Sequence, residues 1–194
     1  NTGMGVPNAA FGYQYAHSGN AFCGLVTYFK GNSIPTNDYR EFIGIHLTYP
    51  LQTGERYYFS FYAVSAQSNS VGFFSNNIGL RFFTNSYSKL NPAPLDNFSH
   101  VKFDSILTDT VNWHKISGSF IADSNYQYVC IGSFYDYLNT DTLIYLTFPQ
   151  CAYSYIDDVC VTKDSLYNET WIGLNEVKQN AVQIWPNPAQ NNFQ

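Results

Sequence analysis

The feature that most constrains the fold is a two-residue alternation of apolar and polar side chains that recurs along the chain. In Arg56 to Val64, "RYYFSFYAV", Tyr57, Phe59, Phe61 and Ala63 fall on one face and Tyr58, Ser60, Tyr62 and Val64 on the other. In Tyr39 to Tyr49, "YREFIGIHLTY", Ile43, Ile45 and Leu47 point one way while Arg40, Phe42, His46 and Thr48 point the other. Asn77 to Phe83, "NIGLRFF", repeats the pattern, with Ile78, Leu80 and Phe82 inward and Arg81 and Phe83 outward. A period of two is the repeat of a half-buried strand, and no helical period competes with it. Further strands are expected at about 10–16, 21–30, 111–122, 126–135, 142–148 and 152–162, about nine in all, with Gly, Asn, Pro or Ser breaks between them. Ser65 to Ser75 and the proline-containing Asn91 to Asn97 are expected as loops. The fold class that follows is all-β, a two-sheet antiparallel β-sandwich of jelly-roll type.

Composition narrows the partners. The chain has 194 residues and a net charge of -5, with 12% charged and 19% aromatic residues. It offers no basic stripe for a phosphate backbone, which argues against nucleic acid as a partner. No apolar run approaches the ~18 residues of a membrane-spanning helix. The alternation ends after Val161, so residues 1–163 read as the sandwich, 164–180 as a polar linker and 181–194 as the truncated start of a further unit. Cys23, Cys130, Cys151 and Cys160 show neither a CxxC pair nor zinc spacing. They read equally as buried thiols or as disulfide partners, and a bridge must cross strands, for instance Cys23 to Cys160.

No catalytic constellation is found. There is no Gly-x-Ser-x-Gly elbow, the four histidines (His17, His46, His100, His114) lack metal spacing, and the four glutamates form no convincing glycosidase pair with the aspartates. A binding surface is easier to place. If the strands at 39–49, 56–64 and 77–83 are sheet neighbours, Phe42, His46, Tyr58, Tyr62, Arg81 and Phe83 share one outward face of rings and hydrogen-bonding groups. Such a face can stack sugar rings and fix their hydroxyls. The same rings serve equally as cross-strand pairs that stabilise a sheet.

Three segments carry a resemblance. Trp113 to Ala122, "WHKISGSFIA", Tyr126 to Gly132, "YQYVCIG", and Tyr155 to Val161, "YIDDVCV", resemble the last strands of carbohydrate-binding-module-like (galactose-binding-like) jelly rolls. His17 to Leu25, "HSGNAFCGL", is similar to an earlier strand of that family, and the likeness covers roughly residues 6–162. The resemblance implies a structural Ca²⁺ site at the closing strand, with Asp157 as the matching residue and Asp158 beside it. It also implies a strand upstream of "HSGNA" that this sequence does not include, so either that strand was removed or another segment fills its place.

The tail Ile184 to Phe193, "IWPNPAQNNF", resembles the opening of the C-terminal sorting domain of type IX secretion cargo. That likeness implies export to the outer surface of a Gram-negative bacterium, or beyond it, through the type IX secretion machinery. Four Asp-Ser/Thr-apolar triplets are similar to O-glycosylation acceptors of the same bacteria and would place sugars on Ser105, Thr110, Thr142 and Ser165. Asp-Ser and Asp-Thr are equally common as turn caps. The function expected is a secreted, non-catalytic module that binds polysaccharide or surface glycan. The alternative is a self-assembling structural or adhesive subunit, a homo-oligomer whose open edge is completed by strand addition.

Overall fold

A computed structural model describes residues 5–30, 39–87, 95–146 and 151–166. Within them the chain forms β1 (Asn8–Ala9), β2 (Gly12–Tyr13), β3 (Cys23–Phe29), β4 (Ile43–His46), β5 (Arg56–Ser65) and β6 (Val71–Ser75). It continues with β7 (Ile78–Phe83), β8 (Val101–Lys102), β9 (His114–Ile121), β10 (Tyr128–Ser133), β11 (Thr142–Ile144) and β12 (Cys151–Thr162). One sheet has the order β4-β10-β7-β8 and is antiparallel throughout. A second has the order β11-β6-β12-β5-β9, with β3 also on β12 and β6 parallel to β12, and β1 and β2 pair antiparallel in a separate two-stranded hairpin. The protein is therefore an all-β sandwich in which one pairing departs from the antiparallel expectation.

The alternation in β5 creates the core. Tyr57, Phe59, Phe61 and Ala63 are buried and meet Ile78, Leu80 and Phe82 of β7, Val129 and Ile131 of β10, Ile116 of β9 and Ile156 of β12. The ring of Phe59 meets Phe82 edge-on at 5.3 Å, and Phe82 stacks on Phe120 at 5.2 Å. Offset and edge-to-face pairs of this kind are the favoured aromatic geometries. The opposite face of β5 is not simply solvated. Val64, Ala66 and Tyr155 are buried under Ala9, Phe11, Phe22 and Trp113, so the N-terminal segment forms a third layer over the outside of the six-stranded sheet.

Three expectations change. The segment 65–75, expected as a loop, contains β6, whose five residues are all buried. Its sequence, "VGFFS", is too short to show a period, and tertiary burial decides it. The strands at 39–49, 56–64 and 77–83 are not one neighbourhood: β4 and β7 flank β10 in one sheet, while β5 lies in the other. Cys23 and Cys160 are free thiols, as are Cys130 and Cys151. Cys23 stands opposite Ile156 and Cys160 opposite Ser60, four positions farther along β12. At about 3.3 Å per residue that separation exceeds disulfide reach. The tail at 181–194 and most of the linker lie outside the described residues.

Truncating the core tests this packing. Phe61→Ala removes a fully buried ring at the centre of the sandwich and is expected to cost about 3–5 kcal/mol, read as a lowered urea midpoint with an unchanged denaturant slope.

Candidate functional site

The outer face of the four-stranded sheet is assembled by register. Tyr128 of β10 stands between His46 of β4 and Phe83 of β7, and Cys130 between Gly44 and Arg81. The His46 ring meets Tyr128 edge-on at 4.8 Å. Gly132 carries the next position, where an added Cβ would lie 2.4 Å from a Phe42 ring carbon, so only glycine lets that ring settle on the sheet. Phe42 then packs against Tyr87 at 4.8 Å and Phe134 at 5.1 Å, and Tyr87 against Phe83 at 4.5 Å. Burial pushes the Tyr87 hydroxyl up to about 12 and the Cys130 thiol up to about 11, so both are neutral near pH 7.

Arg81 is the charged centre of this face. Both of its terminal nitrogens donate to the Asp96 carboxylate, Nη2 to Oδ2 at 2.6 Å, and Nη1 also donates to the Phe98 carbonyl at 3.2 Å. The hydrogen bond from Arg81 holds the Asp96 carboxyl below its ordinary value. The guanidinium lies 4.8 Å from the Phe83 ring centre, 5.1 Å from Phe98 and 5.9 Å from Phe134. A planar cation held by a bidentate carboxylate and resting on rings is pre-organised, with little rotamer freedom left to lose. Phe42, His46, Arg81 and Phe83 are thus brought together as the sequence implied. Tyr128, Tyr87, Asp96, Phe98 and Phe134 complete the face, and their contribution depends on β10 and two loops that the sequence does not tie to β4 or β7.

Tyr58 and Tyr62 belong elsewhere, on β5 in the other sheet. Tyr62 is covered by the His17 ring, stacked at 3.6 Å, with Trp113 6.2 Å from the same histidine. Asp157 and Asp158 lie beside them, where β12 bulges between its pairings with Tyr62 and Ser60 and Asp158 takes a positive φ of 49°. Asp157 Oδ2 accepts from the His17 and Ser18 amides at 2.8 and 3.3 Å, and its Oδ1 accepts from the Asp158 amide at 2.8 Å. Asp158 accepts the Ser18 hydroxyl at 2.5 Å, and its other oxygen lies 2.5 Å from His17 Nδ1. Burial raises the proton affinity of Asp157, with the Asp158 charge adding to it and the hydrogen bonds from the Asp158, Ser18 and His17 amides opposing it. The two carboxylates therefore anchor the "HS" of the N-terminal segment. Ca²⁺ needs six to eight oxygens, and no group of three or more His, Cys, Asp or Glu side chains placed to hold a metal occurs among the described residues.

The acceptor-like triplets divide. Ser105 is exposed, while Thr110, Thr142 and Ser165 are half-buried. Asp109 accepts the amides of Val111 and Asn112, both at 2.8 Å, and these hydrogen bonds hold its carboxyl at about 2. Asp164 accepts the Leu166 amide at 2.9 Å. Both aspartates act as turn caps.

No family model and no curated protein matches the sequence. A solved structure of endo-1,4-β-D-xylanase 10B from Clostridium thermocellum, its CBM22-1 and GH10 modules complexed with xylohexaose, is similar at a TM-score of 0.39 and 12% identity. That likeness covers 82% of this chain and 24% of the xylanase chain, so the protein spans about a quarter of that length.

His100 supplies a pH test beside the site. It packs against Phe82, Phe98, Phe120 and Tyr126, and its Nδ1 accepts the Phe82 amide at 3.2 Å. Burial first and the Arg81 charge second lower its pKa from 6.5 to about 4, with Asp123 opposing them. The unfolded histidine therefore takes up a proton before the folded one does. Stability is expected to fall as the pH drops from about 6.5 to about 4, and His100→Gln to flatten that slope in urea midpoints measured against pH.

Proposed function

We propose that the protein is a non-catalytic module that holds a polysaccharide or surface glycan on the outer face of its four-stranded sheet. The observation that carries this reading is the fixed Arg81 guanidinium on its bed of rings, next to the row His46, Tyr128 and Phe83. Sugar C–H faces stack on aromatic rings, while donors on a held arginine and a histidine orient the hydroxyls. The jelly-roll resemblance of residues 6–162 favours the same ligand class, and the tail resemblance favours delivery to the outer cell surface. Self-assembly is the second reading. It is supported by β9, eight residues long, whose outer edge no strand among the described residues pairs with and which another strand could extend.

Affinity electrophoresis against soluble xylan, mixed-linkage β-glucan and galactomannan tests the first reading. Retardation by at least one polymer is expected, with Arg81→Ala and Tyr128→Ala each weakening it about tenfold and Tyr62→Ala leaving it unchanged. Absence of retardation by any of a broad polymer panel, together with concentration-dependent growth in light scattering, would favour self-assembly instead.

A further inference from the structure

A separate opening lies where the N-terminal hairpin of β1 and β2 meets the end of β5 and the turn at 109–112. It has a volume of about 270 Å³ and is lined by Gly12, Tyr13, Gln67, Thr110, Val111 and Tyr155, among others, with no charged side chain. We propose that this cleft binds a single neutral pyranose unit, as a free sugar or as the end of a chain. The site is distinct from the Arg81 face and does not depend on how that face is used.

Four observations carry the assignment. The first is the hydroxyl of Tyr155, a residue only 3% exposed, whose oxygen faces the Phe11 amide while its proton finds no acceptor among the described residues. A buried hydroxyl proton left without an acceptor is costly, and a ligand oxygen entering the cleft would relieve that cost. The second is the rim. Tyr13 lines the cleft, is 60% exposed, and is held by Tyr15, which it meets edge-to-face at 5.5 Å and through a hydroxyl hydrogen bond of 2.9 Å, so a fixed ring is offered for sugar stacking.

The third is the neutral polar lining. Thr110 Oγ1 donates to Gln67 Oε1 at 3.4 Å, a long contact readily exchanged for one to a sugar hydroxyl. A lining without charge suits an uncharged ligand and disfavours an anionic one. The fourth is rigidity. An added Cβ on Gly12, whose φ is 144°, would stand 2.9 Å from the Gln67 carbonyl oxygen, so the hairpin backbone rests directly on the cleft floor. Gln14, itself buried, donates to the Val111 carbonyl at 3.1 Å, and Asp109 clamps the amides of the same turn. The walls are therefore set before a ligand arrives, which lowers the ordering cost of binding.

The test is a titration of ¹⁵N-labelled protein with D-xylose, D-glucose, D-galactose and D-mannose, followed by amide chemical shifts. At least one sugar is expected to move the Gly12, Gln67 and Val111 amides with millimolar affinity. Tyr13→Ala, at an exposed ring, and Tyr155→Phe, which keeps the buried ring and removes only the hydroxyl, are each expected to weaken that binding about tenfold. Arg81→Ala is expected to leave it intact, which separates this cleft from the sheet face. The proposal is overturned if none of the four sugars moves those amides at tens of millimolar, or if the Tyr13→Ala, Tyr155→Phe double variant binds as the parent does.

Discussion

The contact between the inward faces of β5 and β7 is the constraint on which the rest of the molecule depends. Phe59, Phe61 and Phe82 are essentially sealed from solvent, and burying side chains of this size contributes on the order of 2–3 kcal/mol each. Once those rings interdigitate, strict alternation leaves no choice about the other faces. Arg81 and Phe83 must point away from the core on one sheet, and Tyr58 and Tyr62 away from it on the other. The outer face of the four-stranded sheet is in this sense a by-product of the core register.

The two outer faces then meet different fates. On the six-stranded sheet the N-terminal segment lies over Val64, Ala66 and Tyr155 and is tied down at the β12 bulge, where His17 and Ser18 satisfy Asp157 and Asp158. A bulge leaves ladder groups unpaired and turns side chains out of register, and here it aims two adjacent carboxylates at one incoming segment. The four-stranded sheet bears the Arg81 and Lys102 cations, each held by a carboxylate and set against a ring, and a set of partly exposed rings. That asymmetry is why the proposed glycan site is placed on the four-stranded face, while the covered face leaves a cleft at the margin of the N-terminal segment.

Much of the strand content was legible because period two is a property of neighbouring residues. The inward sets of β4, β5 and β7 agree with the alternation, as does the loop character of 95–97. β6 was hidden because a five-residue strand buried along its whole length carries no polar partner face to mark it. The candidate site was half legible. Phe42, His46, Arg81 and Phe83 could be chosen as outward residues, yet Tyr58 and Tyr62 satisfied the same test and stand on the other side of the protein.

By itself the sequence determined that the chain folds as short strands, which side chains of each strand share a face, and how sparse the charge is. Those are local properties, fixed by backbone geometry and composition. Only the tertiary structure decided which strands are neighbours, that Cys23 and Cys160 stand apart, that His17 closes over Tyr62, and that Asp96 meets Arg81. Strand order and register are set by burial summed over the whole sandwich, and no window of the sequence contains that sum.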